Sequence, residues 1–172
     1  MWPFKVKTDS GKEIQAETII IATGAQARWL GIESEEKYNG KGVSACATCD
    51  GFFFKNKNVA VIGGGNTAVE EALYLSNLCQ NVTLIHRRDE LRAEKILQNR
   101  LFDKKNINIL WNNKVDEILG DDFGVNSLKL ISTKDGSETT IKIDGIFIAI
   151  GHDPSTLVLS LIHISEPTRR VR

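Results

Sequence analysis

Two cysteines separated by two residues, Cys46 and Cys49, are the first group in the sequence that could do chemistry, and Asp50 follows them directly. A CxxC spacing lets the two sulfurs form a small-loop disulfide, and it lowers a thiol pKa enough for attack at neutral pH. Asp50 could supply or accept the proton that thiolate chemistry moves. The spacing therefore predicts a redox-active pair, with a turn before Gly51 as the alternative role of Asp50.

A zinc site and a fortuitous reduced pair are the other interpretations of these cysteines. A structural zinc site needs four ligands, and the third cysteine of the chain, Cys79, stands alone. The three histidines, His86, His152 and His163, show no ligand spacing, so we expect no metal site. Cys79 follows a predicted buried helix, and free cysteine is among the most buried residue types, so we expect it in the core.

A glycine-rich segment fits the G-x-G-x-x-G/A fingerprint of dinucleotide-binding proteins. Its first glycine permits a tight turn, its second lets the backbone approach a pyrophosphate, and its small third residue lets helix and strand pack closely. The segment follows a predicted strand and opens a predicted helix, which is the context that separates a dinucleotide site from a plain structural turn. The predicted binding residues are Gly63, Gly64, Gly65, Asn66, Thr67 and Ala68.

The next predicted strand ends in a basic cluster, which indicates the kind of dinucleotide. About 20 residues after the glycines, an NAD site usually carries a carboxylate for the ribose 2′-hydroxyl, and none occupies this strand tip. Arginine stays charged and binds phosphate oxygens bidentately, so the cluster favours the 2′-phosphate of NADPH. The alternative is a solvated helix start in which the arginines pair with Asp89, Glu90 and Glu94. The cluster consists of His86, Arg87, Arg88 and Arg92.

The segments that must position these residues alternate between strands and helices. The hydrophobic pattern predicts buried strands over 18–22, 58–63, 82–86, 107–111 and 146–150, and helices over 67–78 and 90–105. It also predicts a hairpin over 4–13, an irregular connector over 31–57 and an antiparallel meander over 115–119, 127–132 and 139–143. Crossover helices return the chain in the same direction, so we predict an α/β fold: a doubly wound parallel sheet of the Rossmann type with an antiparallel insertion.

Composition excludes several other classes of protein. The chain has 172 residues, against the roughly 150 that serve as a prior for one domain. Its 22 Lys and Arg balance 22 Asp and Glu, which argues against a broad electrostatic nucleic-acid binder. No apolar run approaches the roughly 18 residues that a membrane helix needs, and no signal peptide is visible. We therefore expect a cytoplasmic protein with neither nucleic acid nor membrane as a partner.

Three segments in this order and spacing resemble the low-molecular-weight, bacterial-type thioredoxin reductases. They are CATCDG at 46–51, GGGNTA at 63–68 and HRRDELRAEK at 86–95. The segment IIIATG at 19–24 resembles the family's segment near the flavin, and AIGHDP at 149–154 resembles its closing motif. The flavoprotein subunits of alkyl hydroperoxide reductase carry similar motifs but prefer NADH, which the arginine cluster argues against.

The resemblance implies that NADPH reduces FAD, that the flavin reduces a disulfide between Cys46 and Cys49, and that the dithiol reduces thioredoxin. It also implies that Cys49 faces the flavin, that Asp50 is the proton donor and that the parent protein is a homodimer. The 2′-phosphate contacts would be Arg87, Arg88 and Arg92. Further cofactor contacts would be Thr23, Gly24 and Ile150.

The resemblance also divides the chain. Residues 1–30 would be a remnant of an FAD-binding domain, 31–156 the NADPH-binding domain that carries the CxxC, and 157–172 a non-native tail, because 159–169 reads like a translated sequencing adapter. Most of the family's flavin domain would then be missing. Two alternative functions follow: a non-catalytic NADP-binding fragment of such an enzyme, and a stand-alone redox or metal module without nucleotide.

Overall fold

The computed structural model describes residues 3–157, which fall into two compact units. The larger unit is Ala27–Asp153, and the smaller one takes in residues 3–26 and 154–157. The tail that the sequence predicts over 157–172 lies outside the described residues, apart from Leu157.

Twelve strands and four helices make up the described chain. The strands are β1 (Phe4–Lys7), β2 (Glu13–Ala16), β3 (Ala25–Ala27), β4 (Val43–Ser44), β5 (Asn58–Ile62), β6 (Asn81–His86), β7 (Ile107–Trp111), β8 (Asn113–Asp121), β9 (Gly124–Ser132), β10 (Glu138–Lys142), β11 (Gly145–Ile148) and β12 (His152–Pro154). The helices are α1 (Glu33–Lys37), α2 (Ala47–Asp50), α3 (Asn66–Leu75) and α4 (Lys95–Phe102), with a 3₁₀ turn over Gly51–Phe54. β3 and β12 are the strands through which the chain passes from one unit to the other.

A five-stranded parallel sheet forms the centre of the larger unit, in the order β4-β11-β5-β6-β7. Alternate residues of β5 enter different cores, since Val59 and Val61 pack with α3 whereas Ala60 and Ile62 pack with the meander. Both faces of the sheet are therefore covered, which explains why its central strands are almost wholly apolar. The predicted α/β fold is confirmed.

The antiparallel insertion is a three-stranded sheet in the order β10-β9-β8. Its apolar face supplies fully buried side chains such as Ile118 and Leu128 to the core on one side of the parallel sheet. On the other side, the helix α3 buries Ala68, Val69, Ala72 and Leu75. The predicted meander is present, and the helix predicted over 67–78 is present as α3.

The predictions for two segments, 18–22 and 31–57, are wrong. Residues 18–22 do not form a strand: Ile20 is 92% exposed, and no strand among the described residues pairs with the segment. A β-branched run favours extended backbone, but a strand also needs a neighbour for its hydrogen bonds. The connector over 31–57 is more regular than expected, because it contains α1, α2 and the edge strand β4.

The helix expected over 90–105 begins only at Lys95, and residues 87–94 form a loop. Two hydrogen bonds account for the difference. The Arg92 N–H donates to the Gly64 carbonyl at 2.7 Å, and the Glu94 N–H donates to Asn66 Oδ1 at 2.9 Å. These N–H groups are thereby tied to the glycine turn, so the loop that carries the arginines follows the turn instead of winding into a helix.

The glycine turn lies against its neighbours too closely for side chains. A Cβ on Gly63 would meet the Ala149 carbonyl and would lie 2.6 Å from Ala68 Cβ, and a Cβ on Gly64 would fall on the His86 ring. A Cβ on Gly65 would meet nothing within 4 Å. Packing therefore requires glycine at positions 63 and 64, whereas Gly65 faces open space.

Substitutions at Gly64 and Gly65 should distinguish a glycine that packing requires from one that faces open space. Gly64→Ala drives a methyl group into the His86 ring, and we expect it to lower the free energy of unfolding by about 1–3 kcal/mol, the range for overpacked cores. Gly65→Ala, the matched control, should cost about 1 kcal/mol or less, the difference expected for alanine at a helix N-cap. Urea unfolding followed by circular dichroism measures both. Equal stability of the two variants would contradict the packing role of Gly64.

Candidate functional site

The two cysteines of the CxxC form a disulfide at the start of α2, with their Cα atoms 5.3 Å apart. Cys49 is exposed and Cys46 is half-buried. The sulfur of Cys46 accepts a hydrogen bond from the Cys49 N–H at 3.3 Å, and the Thr48 hydroxyl lies 3.4 Å from the same atom. Donors of this kind stabilise a thiolate, so Cys46 is the sulfur better prepared to hold negative charge when the bond opens.

Asp50 is held beside the disulfide by a residue that the sequence did not single out. The Ser44 hydroxyl donates to Asp50 Oδ2 at 2.6 Å and accepts the Cys46 N–H at 3.0 Å. Ser44 is buried at the edge of the parallel sheet. One hydroxyl thus connects the backbone of the first cysteine to the carboxylate, which gives Asp50 a defined orientation instead of that of a free turn residue.

A cleft of about 570 Å³ opens at the carboxyl ends of β5, β6 and β11. Ligands of open α/β sheets bind at the carboxyl ends of the strands, at the point where the order of the strands in the sheet reverses. Three parts of the chain meet there: the glycine turn, the loop after β6 and the segment after β11. The predicted residues that line the cleft are Gly63, Gly64, Gly65, Thr67, His86, Arg87, Arg92 and Ile150.

The helix α3 points its N-terminus toward the glycine turn, and no side chain caps it. Its N-cap residue is Gly65, the glycine that faces open space. The first N–H groups of a helix have no partner within the helix, and the helix dipole favours negative charge at this end. The open position and the uncapped N–H groups fit a pyrophosphate. Ala68 is fully buried, so it contributes close packing of helix against strand.

The arginines after β6 are exposed, and none of them forms an ion pair within residues 3–157. The alternative in which they pair with neighbouring carboxylates is therefore not what the structure has. Arg87 and Arg92 line the cleft, whereas Arg88 does not. Their loop is fixed through its backbone, since the Thr133 hydroxyl donates to the Arg87 carbonyl at 3.1 Å.

A further arginine lines the cleft but is already neutralised. Arg28 donates through Nε to Asp153 at 2.7 Å, and the pair lowers the pKa of the Asp153 carboxyl. Lys114 also lines the cleft and has no ion pair among the described residues. Positive charge that is free to meet an anion therefore comes from Arg87, Arg92 and Lys114, of which only the lysine was not predicted.

His86 is 5% exposed, and its ring packs against Gly64 and edge-on to Trp111 at a centroid distance of 6.3 Å. Its Nε2 is buried without a hydrogen-bond partner in the described part of the chain. Burial lowers the pKa of His86, and the charges of Arg92 and Arg87 lower it further. The ring is thus a neutral packing surface beneath the glycine turn at neutral pH.

The remaining predicted residues have varied surroundings. The Asn66 side chain binds the loop residue Glu94 and is not free for a ligand. Thr23 and Gly24 belong to the smaller unit, where the Gly24 carbonyl accepts the Ser155 N–H at 3.0 Å. Cys79 is buried, as predicted, and burial raises the pKa of its thiol to about 11.

Around the disulfide, sequence reasoning missed Ser44, Thr48 and Glu71. The Glu71 carboxyl accepts the Ala47 N–H at 3.4 Å through Oε1, which brings α3 to the disulfide. A signal for Glu71 was available, because it lies three residues after one buried residue of the α3 stripe and four before another. For the other two, only their proximity in the sequence to the CxxC could have drawn attention.

Neither a metal site nor a membrane span is evident in the described residues. They contain no group of three His, Cys, Asp or Glu side chains placed to hold a metal ion. Among the helices of residues 3–157, none is long and apolar enough to cross a membrane.

This combination of a parallel α/β fold, a glycine-turn cleft and a CxxC disulfide places the chain in a known class. The chain belongs to the pyridine nucleotide-disulphide oxidoreductase family, whose sequence profile matches residues 3–167. The family resemblance predicted from the motifs is thereby confirmed.

Curated relatives and solved structures are more specific. The chain is 56% identical to the thioredoxin reductase of Rickettsia conorii over 156 residues, which cover 90% of this chain and 50% of the relative. It is 55% identical to that of Coxiella burnetii over 159 residues, covering 91% and 49%. The crystal structure of Lactococcus lactis thioredoxin reductase in its FR conformation matches with a TM-score of 0.81 and 46% identity, covering 91% of this chain and 52% of that one. The chain spans about half the length of the curated relatives it matches.

The surroundings of His86 predict a pH dependence of stability. Because its folded-state pKa lies below the ordinary value of 6.5, the unfolded chain takes up the proton first as the pH falls. Stability that is fully present above pH 6.5 should therefore be lost as the pH falls from there through the lowered folded-state pKa. Each pKa unit between the two states is worth about 1.4 kcal/mol.

His86→Phe keeps a planar ring and removes the titration. Urea unfolding between pH 5 and 8 should show a stability difference between wild type and variant that changes with pH only below about 6.5. A difference that stays constant over the whole range would contradict a neutral, buried His86.

Proposed function

We propose that the chain is the NADPH-binding and disulfide-bearing part of a thioredoxin-disulfide reductase. The observation that carries the proposal is that one compact unit, Ala27–Asp153, holds both a glycine-turn cleft with free arginines and a CxxC disulfide. In the proposed reaction, electrons pass from NADPH through FAD to the disulfide of Cys46 and Cys49, and from the dithiol to thioredoxin. The similarity to thioredoxin reductases over half their length supports it.

The cleft residues would hold the nucleotide in a manner set by their chemistry. The backbone at Gly65 and the first N–H groups of α3 would receive the pyrophosphate, because no side chain of residues 3–157 occupies that space. Arg87 and Arg92 would receive the 2′-phosphate, since both line the cleft and neither has an ion pair in the described chain. Exposed Arg88 could join them. When bound, NADPH supplies a hydride.

The residues around the disulfide would control where charge and proton go. Two electrons break the S–S bond and leave two thiolate sulfurs, one of which takes a proton. Cys46 would keep the charge, because its sulfur already receives the Cys49 N–H and lies near the Thr48 hydroxyl. Asp50, oriented by Ser44, would deliver or receive the proton of the other sulfur. Exposed Cys49 is the sulfur that an external group could reach.

A protein partner is supported by the surface next to the disulfide. Phe52 and Phe53, which follow the CxxC in the chain, are 69% and 71% exposed. Adjacent exposed aromatic side chains are typical of protein-binding surfaces. Thioredoxin as the partner, FAD as the second cofactor with Thr23 and Gly24 among its contacts, a homodimeric parent protein and a cytoplasmic location belong to the same proposal and rest on the family resemblance.

The nucleotide part of the proposal can be tested by calorimetry on the purified chain. Removing both cleft arginines, in Arg87→Ala/Arg92→Ala, should weaken NADPH binding about 100-fold or more, because each hydrogen bond between charged groups contributes about 1.5–3 kcal/mol. Binding of NADH, which lacks the 2′-phosphate, should change little. Arg100→Ala, an exposed arginine outside the cleft, is the matched control. Equal affinities of the wild-type chain for NADH and NADPH would refute the cofactor assignment.

A second candidate function is a non-catalytic NADP-binding fragment, which the coverage of only half of each relative favours. Incubation with FAD, gel filtration and a visible spectrum distinguish the two functions. We expect the chain alone to retain no flavin band and to release no thiol with NADPH, whereas the same sequence within a full-length protein should do both. A retained flavin band with NADPH-dependent thiol release by this chain would exclude the fragment.

A further inference from the structure

Glu71 is a half-buried titratable residue that neither the nucleotide cleft nor the proposed proton transfer uses. It lies on α3, and its Oε1 accepts the Ala47 N–H at 3.4 Å. Its other oxygen, Oε2, is buried and has no hydrogen-bond partner among the described residues. Burial raises the pKa of this carboxyl, and the bond from Ala47 opposes the shift.

A carboxyl at this position has a cost for the fold, because Oε2 has no hydrogen-bond partner among the described residues. A buried oxygen without a partner destabilises a protein, and an apolar side chain of similar size usually serves packing as well or better. The neighbours of Glu71 on the same helical face, Ala68 and Leu75, are apolar and fully buried. An unfavourable polar residue on an apolar face therefore needs an explanation other than packing.

The hydrogen bond that Glu71 accepts from Ala47 supplies that explanation, because this N–H lies between the two cysteines. Ala47 follows Cys46 directly and begins the short helix that carries Cys49. Holding its N–H sets the direction in which the chain leaves Cys46. The Cα atoms of the cysteines are 5.3 Å apart, within the range of about 4.4–6.8 Å that a disulfide requires. A small rotation of this peptide would move the two sulfurs relative to each other.

We propose that Glu71 is a positioning residue for the disulfide: by holding the Ala47 N–H, it keeps Cys46 and Cys49 in disulfide-forming geometry and shifts the dithiol–disulfide equilibrium toward the disulfide. The proposal rests on the proposed function in one respect, since it takes the cysteine pair to be redox-active. Because the group acts through the backbone and not on sulfur, an amide oxygen can replace the carboxyl. A side chain without an acceptor cannot.

The test is the equilibrium between dithiol and disulfide in mixtures of reduced and oxidised dithiothreitol at pH 7, with thiols trapped and counted by mass spectrometry. Glu71→Leu loses the acceptor and should shift the equilibrium roughly two- to tenfold toward the dithiol, the range that one hydrogen bond contributes to an equilibrium constant. Glu71→Gln keeps an acceptor and should stay within twofold of wild type. Glu70→Gln, an exposed neighbour on the same helix, is the matched control and should not shift it.

Stability supplies a second readout that separates positioning from folding. Glu71→Leu should lower the melting temperature of the oxidised protein more than that of the reduced protein, because the lost acceptor disfavours the disulfide in the folded state only. If this variant does not fold, Glu71→Met gives the same measurement with a side chain that adapts to the space. An unchanged equilibrium in the folded variant without an acceptor would overturn the proposal. So would a shift in Glu71→Gln as large as in Glu71→Leu, since the effect would then come from charge.

The measurement needs neither NADPH, flavin nor thioredoxin, so it is independent of the proposed reaction. If NADPH failed to reduce the disulfide in the full-length protein, the proposed function would fall while the effect of Glu71 on the equilibrium would stand. If the equilibrium were unchanged, the positioning role would fall and the proposed function would stand.

Discussion

Close packing at the glycine turn is the constraint on which the larger unit depends. The turn meets the end of β11 at Ala149 and the ring of His86 at the end of β6, at distances that leave no space for a side chain. Because two strand ends and the start of α3 converge there, their relative positions are set by contact between main chain and side chain. Main chain at such a point cannot shift without moving all three elements. The cleft is therefore shaped by packing before any ligand enters.

The helix α3 carries this constraint to the disulfide. Its first residues face the cleft, and its buried face lies against the parallel sheet. One turn further along, Glu71 reaches the peptide that follows Cys46. The helix α3 thus contacts both the glycine-turn cleft and the disulfide segment. Ser44, on the edge strand of the same sheet, fixes the disulfide loop from the other side through Cys46 and Asp50.

The parts of the structure that sequence reasoning found are those whose cause is local. Strands β5, β6, β7 and β11 were predicted within about two residues, because strands buried on both faces are almost wholly apolar. The glycine turn and the apolar stripe of α3 were predictable for the same reason, since their spacing reports their geometry. Of the arginines predicted after β6, Arg87 and Arg92 line the cleft and Arg88 does not.

The parts that it missed depend on distant residues. Glu71 and Ala47 are 24 positions apart in the sequence. The Arg92 N–H donates to the Gly64 carbonyl instead of to a carbonyl within a helix. No periodic pattern records such a pairing, because each partner looks ordinary within its own segment. The run at 18–22 was misjudged for a related reason, since a strand is defined by the neighbour it pairs with.

The loop after β6 is held in place by its main chain and by the buried side chains of Leu91 and Ala93, and not by its arginines. Backbone groups of residues 87–94 form hydrogen bonds with the Gly64 carbonyl, the Asn66 side chain and the Thr133 hydroxyl. The arginine side chains of this loop are exposed. The backbone conformation of this loop therefore does not depend on the charge of its arginine side chains. Substitutions at 87, 88 and 92 can therefore change the charge of the loop one position at a time without disturbing the backbone that supports it.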